Sequence, residues 1–374
     1  MISDLGLKQI CIPFKQAFRH ASAERSETSA LWVEAISKRG TIGYGESCPR
    51  SYVTGETFDT AGKFFSRHQS ALCQIHDLTS LRAWVETHAD ELNTNPAAWC
   101  AIELAILDLF AKENNQTIEA YLSLPSLSGR FHYSAVLGDA GSDAFQAGAE
   151  QYRRHGFTDF KLKLSGNLEH DREKITVLKS WDIDSLRVRV DANNLWRTAD
   201  QAIAFLRALD YPFFGIEEPL HPNQYSELVR VAEALNSKII LDESFLRIDQ
   251  LSSLRNTARL WIINLRVSKM GGLLRSLRIV EAARALNISL IVGAQVGETS
   301  LLTRAGITIA HAARDMLIAQ EGAFGTFLLE RDICDPPLMF GVGGALDSAN
   351  YPSLHEPGFG LILTLDANFI SNMG

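Results

Sequence analysis

Lys161-Leu162-Lys163, Asp191-Ala192-Asn193, Glu217-Glu218-Pro219, Asp242-Glu243-Ser244 and Lys269-Met270-Gly271-Gly272 succeed one another along the chain. Each lies in or just after a short apolar, β-branched run: DFKLKL, LRVRVD, YPFFGIE, SKIILDE and LWIINLRVSK. Such runs read as buried strands, so the acids stand where strands end. The acidic motifs are spaced by about 25 residues, the length of one strand, one helix and two loops in a repeated βα unit. Consecutive strands of a parallel barrel would then present three carboxylates side by side at one rim, with lysines before and after them. Three such carboxylates repel one another and do not all stay ionised without a cation. Oxygen-only ligands favour a hard ion, Mg²⁺ first and Mn²⁺ as its substitute.

Working outward from this stretch, strands are expected near residues 131–137, 159–164, 187–191, 214–217, 239–242, 261–265, 289–293 and 316–319. Helices are expected between them over 142–155, 168–181, 198–209, 226–235 and 273–286. Eight strands in that order make an α/β barrel, and a barrel of this kind has its active site at the C-terminal ends of its strands. Residues 1–125 read differently. LKQICIPF, ALWVEAI and RGTIGY alternate like antiparallel strands, and helices follow over 58–72, 78–91 and 95–112, which describes an α+β domain. Within the last helix the acid Asp108 stands in an almost wholly apolar sequence, where a hydrogen-bonded structural role fits it better than catalysis. The barrel would occupy 126–345. From 346 to 374 the pattern lapses into Pro and Gly turns with short strands that return to the first domain.

The bulk properties narrow the function. The 374 residues carry a net charge of −8, so no basic excess points to nucleic acid or to an anionic membrane. Five scattered cysteines without a CxxC read as reduced thiols of a cytoplasmic protein, and no apolar run reaches membrane-spanning length. None of the ten histidines forms the His-x-His or His-Glu-x-x-His of a zinc hydrolase. No GxGxxG follows a strand, which excludes the usual nicotinamide site.

Taken together, the KLK, DAN, EEP and DES motifs and the lysine before Met-Gly-Gly resemble the enolase superfamily, and within it the muconate lactonising enzyme subgroup of the mandelate racemase/muconate lactonising enzyme family. The resemblance extends over nearly the whole chain, including the stretch PRSYVTGE (residues 49–56), which is similar to a mobile capping loop. It implies a modified TIM (β/α)7β-type barrel under an α+β N-terminal capping domain, and a homo-oligomer acting on a small-molecule carboxylate. By that similarity Asp191, Glu217 and Asp242 would hold Mg²⁺, with Glu218 and Glu243 beside them. Lys163 and Lys269 would be the acid/base pair, and Lys161 would lower the pKa of Lys163. That lysines work with Mg²⁺ in this superfamily is general knowledge of such enzymes.

The chemistry suits these residue types. Removing a proton next to a carboxylate makes a dianionic enediolate, and a cation bound to that carboxylate stabilises it by several kcal/mol. A lysine with a pKa of roughly 10.4 becomes a useful base when a neighbouring ammonium lowers it. Lys161 and Lys163 share one strand face, because strand periodicity is two. The plain alternative makes them ion-pair partners of the acidic rim.

Several further residues admit two readings. Glu298 after strand seven either contacts substrate or caps the helix beginning near Thr299. Glu321 after strand eight either assists catalysis or holds a substrate amine. Asn193 and Asn264 are expected to support the metal ligands, and Arg266 stands where many relatives have a lysine. His20, Arg25, Arg50 and Tyr52 lie on expected loops of the capping domain, placed either to bind a carboxylate or to face solvent. The strand-seven sequence SLIVGAQVGE lacks the histidine of a mandelate racemase-type dehydratase. Ala319-Gln320-Glu321 departs from the Asp-x-Asp of the subgroup's dipeptide epimerases. The expected reaction is racemisation or epimerisation of a small carboxylate such as an N-substituted amino acid. The alternatives are a muconate-type cycloisomerase and an o-succinylbenzoate synthase-like lyase. An inactive metal-binding relative would show a decayed metal or lysine position, and none is visible.

Overall fold

The computed structural model describes residues 1–20, 23–181, 183, 185–364 and 367–372. Eight strands, Ala135–Leu137, Asp159–Lys163, Arg187–Asp191, Gly215–Glu217, Lys238–Leu241, Trp261–Leu265, Ser289–Val292 and Leu317–Gln320, pair in chain order, all parallel. The sheet curls until Ser134 N, just before strand one, donates to Gln320 O of strand eight at 2.8 Å. Helices Ser142–Arg154, Leu168–Lys179, Ala199–Leu209, Tyr225–Leu235, Gly272–Ala285 and Ser300–Ala312 cover its outside. Between strands five and six the connection is only short turns around Leu251–Leu254. This is the expected modified barrel of (β/α)7β type.

Strand parity decides what fills it. Ile240, Ile262, Ile291 and Ala319 form a small apolar cluster of their own, separate from the main core. Residues two positions further along each strand point to the same side, which places Asp242, Asn264, Gly293 and Glu321 directly above this plug. Lys163, Asp191 and Glu217 are register partners on strands two, three and four, and Glu217 is level with Ile240. Gly293 is required here, because a methyl group at that position would collide with the Asn264 side chain.

Over the N-terminal part, Ile2–Ile10, Ala30–Ser37 and Ile42–Ser47 form an antiparallel sheet whose outer strand is Ile370–Asn372. The helix Pro96–Glu113 lies on this sheet and is buried over almost its whole length. It approaches so closely that a methyl group at Gly43 or Gly45 would strike the backbone at Ala105 or Ala101. Asp108 accepts from Tyr44 N at 3.0 Å and Phe359 N at 2.8 Å and pairs with Lys112, a structural acid as expected.

Three details differ from expectation. The segment expected as strand 131–137 is two pieces, since Arg130–His132 pairs with Ala345–Asp347 outside the barrel. Helix 78–91 is interrupted at His88 into Leu78–Thr87 and Ala89–Thr94. Pro13–His20 and Ala23–Glu27 form a hairpin where loops were expected, so Arg25 lies on a strand. That stretch is polar in most positions and lacks the alternation that marks a half-buried strand. The His20 side chain is outside the described residues.

Candidate active site

A cavity of about 990 Å³ opens at the C-terminal end of the barrel, beneath the capping stretch that carries Tyr52 and Val53. Lys161, Lys163, Asn193, Glu243, Arg266 and Glu321 line its floor. They come from strands two, three, five, six and eight or the residues just after them; strand parity aims all but Glu243 inward, and Glu243 lies past the end of its strand.

On the strand-two side, Lys163 Nζ reaches Asp191 Oδ2 at 2.5 Å and Asn193 Oδ1 at 3.0 Å. Lys161 lies one pleat deeper, where its Nζ meets Glu217 Oε1 at 2.8 Å, Asp191 Oδ2 at 3.0 Å and Glu321 Oε2 at 3.3 Å. Burial alone would lower the Lys161 pKa, but the attraction of Asp191, Glu217 and Glu321 outweighs it and raises the ammonium above its usual range. Lys161 is therefore a fixed positive charge beside Lys163. Asp191, although buried, is held below the usual carboxylate range by the two lysines.

On the strand-six side, Asp242 is gripped by the Arg266 guanidinium and by Lys269 Nζ at 2.7 Å. Despite its burial, Arg266 and Lys269 hold Asp242 down at about 2. Arg266 also donates to Gln295 Oε1 at 3.0 Å. Lys269 has two further acceptors, the backbone carbonyls of Asp242 at 2.8 Å and Asn264 at 2.9 Å. Its side chain is fully buried and absent from the cavity wall. The expectation that Lys269 faces substrate across from Lys163 is therefore not met in the geometry; Arg266 faces the cavity there. The reason is local. Arg266 continues the strand parity of Ile262 and Asn264, whereas Lys269 belongs to the short, buried helix Val267–Met270 past the end of the strand.

Glu217 occupies the centre. Its Oε1 accepts from Lys161 and from Asn264 Nδ2 at 3.1 Å, while its Oε2 is buried with no hydrogen-bond partner. Burial and the neighbouring Asp191 push Glu217 up to about 8. Among the described residues, no three His, Cys, Asp or Glu side chains converge closely enough to hold an ion as they stand. Asp191 and Asp242 are instead each drawn onto two side-chain cations. The donor chemistry nonetheless fits a hard divalent cation. The groups on three neighbouring strands are all carboxylates, and the orphaned Glu217 oxygen is a buried acceptor that such an ion would satisfy.

The remaining expected residues divide into two groups. Glu218 turns away from the cavity and accepts from Asp242 N at 2.6 Å, Ser244 N at 2.8 Å and Ser244 Oγ at 2.8 Å, which fixes the turn carrying Asp242. Glu298 is half-buried outside the cavity wall and accepts from Gln295 N at 2.7 Å. It does not cap the following helix. Thr299 and Glu46 do, Glu46 accepting from Thr299 N at 2.9 Å and Leu302 N at 3.1 Å. Arg50 is buried, and its guanidinium donates to the carbonyls of Ser29, Pro49 and Val296, so it clamps the cap to the strand-seven loop. Arg25 lies 6.0 Å over the Tyr52 ring. Glu243 lines the cavity with its Oε2 unpartnered, and burial and Asp242 push it up to about 7.

Sequence reading missed Arg189. It is fully buried and bridges Asp159 at 2.7 Å, Ser134 Oγ at 3.0 Å and Glu321 Oε1 at 2.8 Å. The alternation in Arg187-Val188-Arg189-Val190-Asp191 places Arg189 on the face of Asp191, and that signal was available. Glu321 thus lies between Lys161 and Arg189, and though buried it is held down at about 2 by these cations. Sequence reading also missed the far wall, where Phe145 and Tyr152 of the first barrel helix meet Phe324 and Phe327 after strand eight.

Comparison with known proteins gives this arrangement a family. The model of the enolase C-terminal domain-like family matches residues 144–367. The chain belongs to the enolase superfamily. Among curated superfamily members, a hydrophobic dipeptide epimerase of Enterococcus faecalis is 24% identical over 334 residues, 88% of this chain and 92% of that one. An L-Lys-D/L-Arg epimerase of Methylococcus capsulatus is 26% identical over 373 residues, 96% of this chain and 99% of that one. The solved L-Ala-D/L-Glu epimerase of Bacillus subtilis superposes with a TM-score of 0.85 at 22% identity, covering 97% of this chain and 99% of that one. The superfamily fold accordingly extends over both the barrel and the cap. Among the described residues no helix is long and apolar enough to cross a membrane.

Proposed function

We propose that this protein is a racemase or epimerase that removes and returns the proton next to the carboxylate of a small, N-substituted amino acid or dipeptide. The observation that carries this reading is Lys163. Of the two lysines at the cavity floor it is the upper one, with Lys161 beside it, a carboxylate and an amide to orient it, and space above it. Its amine would take the α-proton, and Asn193 would hold the side chain in line. Lys161 would remain charged and keep the floor positive as negative charge builds on the substrate. Asp191, Glu217 and Asp242 would hold a divalent cation, Mg²⁺ in the first instance. Bound there, that ion supplies positive charge against the substrate carboxylate. The curated relatives' printed activities support the same class of reaction.

The wall formed by Phe145, Tyr152, Phe324 and Phe327 favours an apolar side chain or acyl group on the substrate, because the acids Glu321 and Asp139 that line the same cavity already pair with cations, Glu321 with Lys161 and Arg189 and Asp139 with Lys174. The same reading places the enzyme in the cytoplasm as a homo-oligomer, with neither nucleic acid nor membrane as partner. The test is incubation in D₂O with Mg²⁺ and a panel of N-acyl amino acids and dipeptides, followed by mass spectrometry and polarimetry. Deuterium uptake at the α-carbon that stops on adding EDTA is expected for members with apolar substituents. Absence of exchange across the panel would sink the reading.

A further inference from the structure

The two sides of the cavity are chemically unequal. Strands two and six lie across the barrel from each other, four strands apart in the sheet order. From strand two, Lys163 presents an amine at the cavity floor. From the end of strand six, the side chain in the cavity wall is Arg266. The lysine nearest on that side, Lys269, has its Nζ directed at three oxygens, Asp242 Oδ1, Asp242 O and Asn264 O. These three acceptors hold the side chain fully buried and outside the cavity wall. A guanidinium in that position is a different instrument from an ammonium. It is planar, presents a fork suited to a carboxylate, and does not give up its proton at ordinary pH.

We propose that Arg266, not Lys269, meets the substrate across from Lys163, acting as a fixed cation for its carboxylate and enediolate, so that proton exchange on the Lys163 face runs far ahead of inversion. This rests on the proton-transfer reading above and deepens it. In the forward step the α-C–H bond breaks, Lys163 gains the proton and the electron pair passes into the enediolate. Return of that proton, or of a solvent-exchanged one, by the same ammonium regenerates the same enantiomer. Inversion needs a proton delivered from the other side, where the available donor is the guanidinium, an acid roughly two to three orders of magnitude weaker than a lysine ammonium. Exchange with retention is then the frequent event and inversion the rare one.

The experiment follows both enantiomers of each exchanging member of the N-acyl amino acid and dipeptide panel in D₂O with Mg²⁺, recording deuterium uptake and optical rotation together. One enantiomer is expected to exchange at least tenfold faster than it inverts and at least tenfold faster than its mirror image. Arg266→Lys should raise exchange of the slow enantiomer at least tenfold, since it places a titratable amine on that side. Lys269→Met should leave the ratio of the two exchange rates unchanged, and a ratio is insensitive to how much of the variant is folded. Equal exchange of both enantiomers by the unaltered protein would overturn the assignment while leaving the proton-transfer reading intact. So would selective loss of the slow enantiomer's exchange in Lys269→Met. No exchange by either enantiomer across the panel would sink the underlying reading and this one with it.

Discussion

The two flanks of the barrel mouth contain similar ingredients in different arrangements. On each, one aspartate is held by two cationic side chains: Asp191 by Lys161 and Lys163, Asp242 by Arg266 and Lys269. On the first flank the upper cation is a lysine at the cavity surface and the lower one is anchored among three carboxylates. On the second flank the cation at the surface is an arginine, and the lysine is folded away beneath backbone carbonyls. Charge balance is similar on both sides, yet only the first presents at the cavity surface a nitrogen able to take up and release a proton. Net charge thus says little about reactivity here; which nitrogen faces the cavity decides it.

The largest effect expected from this contrast is at Lys163. Lys163→Ala should lower α-proton exchange by roughly 10² to 10⁴, the usual contribution of a positioned acid/base group. It should leave Mg²⁺ binding measurable by calorimetry, because Asp191, Glu217 and Asp242 are untouched. Retained exchange in this variant would move the base elsewhere and erase the distinction between the flanks.

The second prediction concerns what the flanks share. If the carboxylates on both sides of Glu217 serve one ion, Asp242→Asn should abolish calorimetric Mg²⁺ binding with a native far-UV spectrum, and Asp191→Asn should do the same. The losses should be similar, since each variant removes one charged oxygen ligand from the same set. Binding that survives either change would show that the ion does not bridge the two sides.

What the sequence disclosed about this site follows strand parity closely. Asp191, Glu217 and Asp242 were legible because each ends a short apolar run, and Asp242, two positions past the inward Ile240, must also point inward. Arg266 obeys the same rule relative to Ile262 and Asn264. Lys269 does not, because it lies past the strand in the helix Val267–Met270, where parity carries no information and motif order alone suggested a role. Other features had no local signal at all. Glu46 caps the helix Ser300–Ala312, and Glu103 accepts from Leu274 N at 3.0 Å at the start of the helix Gly272–Ala285. Both acids come from the N-terminal part of the chain, and burial pushes each up to about 7. Their partners lie far away in sequence, so only the docked cap reveals them. The hairpin beginning at Pro13 was unreadable for a different reason, since its strands are mostly polar.

The cap repeats the contrast between an anchored cation and a cavity-facing group, in Arg50 and Tyr52. Both were expected on loops, placed either to bind a carboxylate or to face solvent, and both lie in the stretch 49–56. The Arg50 side chain is buried and joins the carbonyls of Ser29 and Pro49 to that of Val296. Arg50→Ala would leave those acceptors short of donors and should destabilise the fold by about 1 to 3 kcal/mol, read as a lower denaturation midpoint. Tyr52 is 38% exposed and lines the cavity. Tyr52→Ala should leave stability within about 0.5 kcal/mol of the unaltered protein. Its effect should be a KM several-fold higher, with kcat and Mg²⁺ affinity little changed, as expected when binding common to ground and transition states is removed. A fall in kcat at constant KM would place Tyr52 at the reacting carbon. A large loss of stability would make it, like Arg50, part of the clamp rather than of the cavity.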